Sequence, residues 1–213
     1  MTLRRTHRDL VGLTVLALLS IRPSHPYELH RLIVETHKDY VTGLPRSLYH
    51  AVDRLAGEEL ISPVETTREG RRPERTVYEI TAEGTAELQS RLRRLLEEPD
   101  HDSRVFLAAI SLIGCLPPGE AGRCLRTRAA TLKGGVVACD AHISALTASG
   151  LPSILMLEVE CERALRAAEL DWVHGVIARL ESGELGWSDS SKSGLLTDLL
   201  GEEQPHSTSQ EER

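Results

Sequence analysis

The feature that most constrains this chain is the stretch 43–80, which has the pattern of a helix followed by a two-stranded hairpin. Between residues 45 and 58, Leu48, Val52 and Leu55 recur at positions i, i+4 and i+7. This spacing puts all three on one stripe of a helix, so we expect that stripe to be buried and the opposite face to be free.

The free face of this predicted helix consists of side chains that hydrogen-bond to base edges or to phosphates. Its members are Arg46, Tyr49, His50 and Asp53, with Arg54 at the edge. Ser47 lies near the start of the helix, where backbone N–H groups favour an anion. Core packing is the alternative to DNA contact for Tyr49, and we expect His50 to be either solvated or close to a phosphate.

The hairpin that follows has a turn rich in charge. Residues 60–66 are predicted to form its first strand, and residues 75–80 alternate with the period of two that is typical of a half-buried strand. Arg71 and Arg72 lie in the turn between the strands, and Arg75 begins the second strand. We predict that these arginines contact phosphates or the minor groove. A helix of this kind beside a basic hairpin indicates a DNA-binding surface.

Helices are predicted on both sides of this stretch. Residues 9–20 form a helix that is apolar nearly all round, and Ser24 or His25 caps a second helix. After the hairpin, Thr81 caps a fourth helix. Three helices and a hairpin in this order predict that residues 1–98 form a winged helix-turn-helix domain.

Residues 99–187 are predicted to form a helical dimerisation and effector domain, so the fold class is mainly α. Its helices span 103–116, 120–148 and 152–182, and we expect a kink or a close helix crossing at Gly134-Gly135. At about 1.5 Å per residue, the two long helices exceed the width of a small domain. We therefore predict that they pair with a second copy; an intramolecular bundle is the alternative. The predicted interface residues are Leu125, Leu132, Val136, Ile154, Leu157, Cys161, Leu165, Ala168, Trp172 and Leu180.

Composition and charge agree with this division. Aromatic residues make up only 3% of the 213 residues, which favours a helix-rich fold over a large all-β core. The formal charge is −7, but residues 1–90 carry 12 Lys and Arg against 13 Asp and Glu, so the acidity is concentrated in the rest of the chain. A local basic surface is therefore compatible with the acidic total. The Ser- and Glu-rich tail, 188–213, is predicted to be disordered apart from a short amphipathic segment at 195–200.

No pattern in the sequence indicates catalysis. None of the four cysteines forms a C-x-x-C pair, and the histidines show no metal-ligand spacing. There is neither a phosphate-binding glycine loop nor a nucleophile elbow. The apolar run 10–21 is too short to span a membrane. We therefore expect no enzyme activity, no metal, no cofactor, no membrane contact and a cytoplasmic location.

Short motifs follow one another along the chain: His25-Pro26-Tyr27-Glu28-Leu29, then Ser47-Leu48-Tyr49 with Arg54-Leu55 and Leu60-Ile61, then Arg71-Arg72-Pro73 with Tyr78, Thr81 and Gly84, and last Glu169-Leu170-Asp171-Trp172. In this order and spacing they resemble the motifs of the PadR family of bacterial transcriptional regulators, over residues 8–187. Two positions depart from the family pattern, because Pro26 and Glu59 stand where the family often has glycine. The departure at Glu59 suggests a different turn between helix and hairpin.

This resemblance implies a winged-helix DNA-binding domain, a coiled-coil-like helical dimer and repression relieved by a small molecule. It also implies that Tyr27, Ser47 and Tyr49 lie at or behind the DNA surface and that Arg71 and Arg72 belong to the wing. We predict a sequence-specific regulator that binds a pseudo-palindromic double-stranded operator as a homodimer. The alternative is a winged-helix module that binds protein, since the first domain is not basic in sum.

The sequence does not identify the effector or its pocket. An aromatic pocket would have to be built from Tyr40, Phe106, Trp172 and Trp187. For Trp172, helix packing in the core is the preferred interpretation over a place in such a pocket.

Overall fold

The computed structural model of the chain describes residues 9–38, 40–41, 43–67 and 75–187. This part of the chain contains seven α-helices and one two-stranded antiparallel sheet, so the predicted mainly helical fold class is confirmed. The predictions for Arg71, Arg72 and the tail segment 195–200 fall outside the described residues.

Helix α1, Leu10–Leu19, is the centre of the N-terminal core. Asp9 caps it by accepting a hydrogen bond from the backbone N–H of Gly12 at 3.0 Å. Leu13, Leu16 and the other side chains from residue 12 to residue 19 are buried, as expected for a helix that is apolar on every side. Burying one leucine contributes roughly 1.5–3 kcal/mol, so α1 anchors everything that packs on it.

Two helices pack next. Helix α2, Pro26–Glu35, is capped by His25, whose Nδ1 accepts from the N–H of Tyr27 at 3.1 Å. Helix α3, Arg46–Gly57, buries the predicted stripe of Leu48, Val52 and Leu55 against α1, together with Ala51. The buried stripe fixes which face of α3 points outward.

The hairpin consists of β1, Ile61–Thr67, and β2, Arg75–Ile80. Ile61 pairs with Ile80, and the register shifts between Pro63 and Glu65. A proline has no N–H to donate to the ladder, which accounts for an irregularity at this place. Ser24, in the turn before α2, forms a bridge with Tyr78 through two backbone hydrogen bonds of 3.0 and 3.1 Å. The hairpin is therefore attached to the start of α2.

Helix α4, Ala82–Glu97, begins at Thr81 as predicted. The Thr81 hydroxyl accepts from the N–H of Gly84 at 3.0 Å and donates to the carbonyl of Glu59 at 2.9 Å. A Cβ atom at Gly84 would lie 2.0 Å from the carbonyl oxygen of Leu60, so only glycine fits here. Glu59 itself has a φ of 58°, in the left-handed region. The junction of α3, β1 and α4 is thus tightly packed.

The C-terminal part consists of α5, Ser103–Ser111, α6, Pro118–Ala148, and α7, Leu157–Glu181, with short 3-10 turns before α6 and before α7. Helix α5 ends five residues earlier than predicted, and α7 begins five residues later, because those residues belong partly to the 3-10 turns. Helix α6 runs through Gly134-Gly135 as one α-helix. The expected close approach there is made by a side chain, since Arg166 of α7 lies against Gly135.

Helix α4 packs on α1 on one side and on α6 on the other. The buried apolar residues therefore form one cluster that continues from Leu13 to Ile177. Leu125 and Leu132 of α6 lie inside this cluster, which corrects their prediction as dimer-interface residues. They are covered because other helices of the same chain pack on that side of α6. The division at residue 98 stays a prediction.

Candidate nucleic-acid interface

The outward face of α3 carries four exposed polar side chains, Arg46, Tyr49, His50 and Asp53. Arg46 and His50 lie one turn apart, and the Nε of Arg46 donates to the Nε2 of His50 at 3.4 Å. Tyr49 is 46% exposed to solvent, so this residue does not pack in the core. The structure brings these residues together on one helix face, where donors and acceptors point into solvent.

Two predicted contact residues are partly engaged inside the protein. Arg54 pairs with Asp9, and its Nη1 lies 3.1 Å from Glu58 Oε2, so two carboxylates already face its guanidinium. The N–H of Ser47 donates to the carbonyl of Gly43 at 3.2 Å. Contact of these two residues with DNA stays a prediction, and Arg46 is the arginine of α3 that the structure leaves exposed.

Tyr27 occupies the first turn of α2 and is 62% exposed. The hydrogen bonds between Ser24 and Tyr78 place the start of α2 beside β2, so Tyr27 lies close in sequence to the attachment point of the hairpin. Arg75 is the first residue of β2. The sequence assigns the first turn of α2, the outer face of α3 and the hairpin to one DNA-binding surface, and this assignment stays a prediction.

A second candidate site is a groove of about 550 Å³ between α5, α6 and α7. Apolar and charged side chains alternate in its lining, which includes Phe106, Leu107, Leu132, Leu165, Arg128 and Glu169. The Phe106 and Trp172 rings meet edge to face with their centroids 5.9 Å apart. Trp172 is about half exposed at a second hollow beside the groove, so it does not belong to the core of the single chain, and its packing in a dimer stays a prediction.

The other two aromatic residues considered for a pocket lie elsewhere. Tyr40 donates from its hydroxyl to the Oγ of Ser111 at 3.3 Å, and Trp187 donates from Nε1 to the carbonyl of Leu116 at 2.8 Å. Neither residue lines the groove. Of these four aromatic residues, Phe106 and Trp172 are the two whose rings meet, and nothing local in the sequence marks that pair.

The residue that sequence reasoning missed is Arg128, which is 1% exposed and borders the groove. Its guanidinium lies 3.7 Å from the centroid of the Phe106 ring and pairs with Glu169. Burial lowers the pKa of Arg128, and the hydrogen bond to Glu169 opposes that effect. Arginine stays protonated in either case, so a permanent positive charge is held inside the C-terminal part.

Across the described residues, no helix combines the length and the apolar character required to cross a membrane. Among the same residues, no three His, Cys, Asp or Glu side chains gather as ligands for a metal ion.

Three helices, a two-stranded hairpin and a polar outward face on the third helix define a winged helix-turn-helix protein. Residues 15–90 match the family model described as the transcriptional regulator PadR-like family. Over these residues, the resemblance to this family that was drawn from the sequence motifs is confirmed.

Several solved structures are similar to this chain. One is Bacillus subtilis PadR in complex with operator DNA, with 18% identity, a TM-score of 0.38, and coverage of 79% of this chain and 98% of that one. Another is the protein smu.1604c of Streptococcus mutans, with 17% identity, a TM-score of 0.36, and coverage of 80% and 98%. A putative transcriptional regulator of Thermoplasma acidophilum has 25% identity, a TM-score of 0.36, and coverage of 51% and 90%. No curated protein sequence matches this chain.

Proposed function

We propose that this protein is a sequence-specific transcriptional regulator that binds double-stranded DNA in the cytoplasm. The observation that carries the proposal is the outward face of α3, where Arg46, Tyr49 and His50 are exposed while Leu48 and Leu55 on the other side are fully buried. A helix held in this way presents hydrogen-bonding side chains to a major groove without rearranging. The match of residues 15–90 to a family of transcriptional regulators supports the same function.

We further propose that the regulator is a homodimer. Leu157, Cys161, Leu165, Ala168 and Trp172 lie on one face of α7, and all five are exposed in the single chain. Their spacing of three and four residues is the pattern of a helix that packs on another helix. A second copy bound to this face gives a symmetric pair of α3 helices, and such a pair fits a pseudo-palindromic operator with half-sites about 34 Å apart.

The other residues predicted for the dimer interface differ in their exposure to solvent. Ile154 is exposed in the 3-10 turn before α7, whereas Val136 and Leu180 are half-buried. We therefore assign the interface mainly to the exposed face of α7 and the turn that precedes it.

The regulator acts, in this proposal, as a repressor that a small-molecule effector releases from DNA. The groove between α5, α6 and α7 is the place we assign to that effector, since its volume of about 550 Å³ lies in the range of ligand sites. Its walls are apolar at Phe106, Leu107, Leu132 and Leu165, and Arg128 and Glu169 in the lining are already paired with each other. An apolar or aromatic molecule fits this chemistry.

The experiment that tests DNA binding is a genomic footprint followed by affinity measurements at several salt concentrations. We expect Arg71→Ala with Arg72→Ala to weaken binding to all sequences and to flatten the salt dependence, because phosphate contacts set that slope. Arg46→Ala or Tyr49→Ala is expected to change sequence preference instead. Arg123→Ala, which removes an exposed arginine on α6, is the control and should leave both unchanged.

The second candidate is a winged-helix module that binds a protein. It is favoured by the balance of 12 basic and 13 acidic residues in positions 1–90 and by the two carboxylates that face Arg54. The footprint separates the two functions, because a protein-binding module protects no promoter and shows no steep loss of DNA affinity with salt.

A further inference from the structure

Arg128 of α6 contacts α4, α5 and α7 through one buried side chain. Its Nη1 donates to the carbonyl oxygens of Leu95, Leu96 and Glu98 at 3.3, 3.5 and 3.0 Å. Leu95 and Leu96 lie in the last turn of α4, and Glu98 is its C-cap. Carbonyls at the end of a helix have no partner within the helix, and an arginine there also favours the negative end of the helix dipole. The side chain therefore fixes the end of α4 to α6.

The remaining contacts of Arg128 reach α5 and α7. Its Nε donates to Glu169 of α7, and the ring of Phe106 from α5 covers the face of the guanidinium. Removing one partner of a buried pair leaves an uncompensated charge, so this arrangement is expected to hold a single geometry. A change at Glu169 therefore alters the contacts of the same side chain that binds the end of α4.

Helix α4 is also connected to α3, by way of Asp9. Arg91 of α4 is buried, and its Nη1 lies 4.0 Å from Asp9 Oδ2. Asp9 in turn pairs with Arg54 of α3 and caps α1. A series of contacts of different kinds therefore leads from α7 to α3. Glu169 pairs with Arg128, Arg128 is hydrogen-bonded to backbone carbonyls at the end of α4, and helix α4 itself carries Arg91, which approaches Asp9 without a hydrogen bond from its Nη1.

Glu169 is the member of this series that borders the groove. Its side chain is 31% exposed, and it lines both the main groove and the smaller hollow beside Trp172. An occupant of the groove consequently meets the partner of Arg128 without any prior opening of the core.

We propose that Arg128 is a positioning residue that sets the angle between α4 and the long helices, and that Glu169 is the point where an occupant of the groove changes this angle. In a dimer the angle determines how far apart the two α3 helices lie, so a change at Glu169 alters the fit to an operator and leaves the contacts of each α3 helix intact. This inference rests on the proposed function.

The test compares two isosteric substitutions at ion pairs between α6 and α7. Glu169→Gln removes the charge that faces Arg128, whereas Glu181→Gln removes the charge that faces exposed Arg126 at 3.0 Å and has no contact with α4. We expect Glu169→Gln to weaken operator binding about fivefold or more, with little change for a scrambled duplex of the same length. Glu181→Gln should leave both affinities unchanged.

Two results overturn the inference. One is a folded Glu169→Gln variant that binds the operator as the parent does. The other is an equal loss of affinity for operator and scrambled duplex, since a change of angle between two heads acts on the operator alone.

If the parent protein binds no specific duplex, the proposed function is contradicted. The inference about Arg128 and Glu169 can then still be tested by a measurement without DNA. Amide hydrogen exchange is then compared for the end of α4 in the two variants. Faster exchange across residues 92–97 in Glu169→Gln than in Glu181→Gln supports the inference, because Arg128 is bound at this end of α4 and local opening reports on its stability. Equal exchange in the two variants contradicts it.

Discussion

The guanidinium of Arg54 on α3 pairs with the carboxylate of Asp9, the residue that caps α1. The same carboxylate therefore caps α1, the central helix of the core, and forms an ion pair with α3, the helix that presents the outward polar face. The orientation of α3 depends on this pair as well as on its buried stripe.

Substitutions at Asp9 separate these two roles. Asp9→Asn keeps a side-chain acceptor for the N–H of Gly12 and removes the charge, so we expect a loss of about 0.5–1 kcal/mol in the free energy of unfolding. Asp9→Ala also removes the cap, which adds about 1 kcal/mol to the loss. Urea unfolding measures both, and equal losses for the two variants would show that the cap contributes nothing.

Gly84 is a position where one methyl group should be costly. In Gly84→Ala the new Cβ would meet the carbonyl oxygen of Leu60 at 2.0 Å, and α4 would have to move away from the start of β1. We expect the free energy of unfolding to fall by about 1–3 kcal/mol, as in other overpacked sites.

The control for this prediction is Gly134→Ala in the middle of α6. Nothing lies within 4 Å of a Cβ at that position, and alanine favours a helix over glycine by about 1 kcal/mol. Gly134→Ala should therefore raise the thermal unfolding midpoint, whereas Gly84→Ala should lower it. A Gly84→Ala protein with a midpoint at or above that of the parent would mean that the contact with Leu60 does not require glycine.

Glu59 has a positive φ of 58° at the turn between α3 and β1. Glycine adopts this conformation without steric cost, so Glu59→Gly is expected to keep or increase stability. Glu59→Val puts a β-branched residue in the left-handed region and should be less stable than Glu59→Gly by about 1–2 kcal/mol or more, and less stable than the parent. The thermal unfolding midpoints of the two variants are compared with that of the parent. A Glu59→Val protein as stable as the parent would contradict the interpretation that this turn is strained.

Cys161 provides a chemical test of the homodimer. Its side chain is exposed in the single chain and lies on the proposed interface face of α7. In a dimer it is covered, so its rate of alkylation by iodoacetamide should rise as the protein is diluted below the dimer dissociation constant. Mass spectrometry of the labelled peptide measures this rate. A fast rate that does not change with concentration places the interface elsewhere.

Cys124 is the internal reference for the same labelling experiment. Burial raises the pKa of Cys124 to about 12, and a hydrogen bond to Glu97 adds to the effect. At pH 8 roughly one molecule in ten thousand then carries the reactive thiolate. We expect Cys124 to remain unlabelled at every protein concentration and to react only after unfolding.

The helices of the N-terminal half were predictable because their signals are local. Asp9 and Thr81 are caps that act within three residues, and the stripe of Leu48 and Leu55 needs only the period of a helix. The outward face of α3 followed from the same period. This is why most of the candidate surface could be described before the structure was known.

The C-terminal half was predicted less well because its contacts are distant in sequence. Arg128 donates to carbonyls that precede it by about 30 positions and pairs with Glu169 on the next helix, and no local pattern marks such a residue. The spacing of the apolar residues along α6 and α7 also predicted an apolar face on each helix, but not what would cover it. Leu125 turned out to face its own chain, whereas Leu165 is exposed.

The placement of the two tryptophans has a practical consequence for spectroscopy. Trp172, edge-on to Phe106 beside the groove, and Trp187, whose indole is hydrogen-bonded to Leu116, are both in the C-terminal half, and positions 1–171 contain no tryptophan. Tryptophan emission therefore does not report events that are confined to the winged half, where all four tyrosines lie. A change in tryptophan emission on adding duplex DNA would have to originate at a distance from the α3 face. The unmodified protein therefore allows coupling between its DNA-binding half and its C-terminal half to be measured by fluorescence.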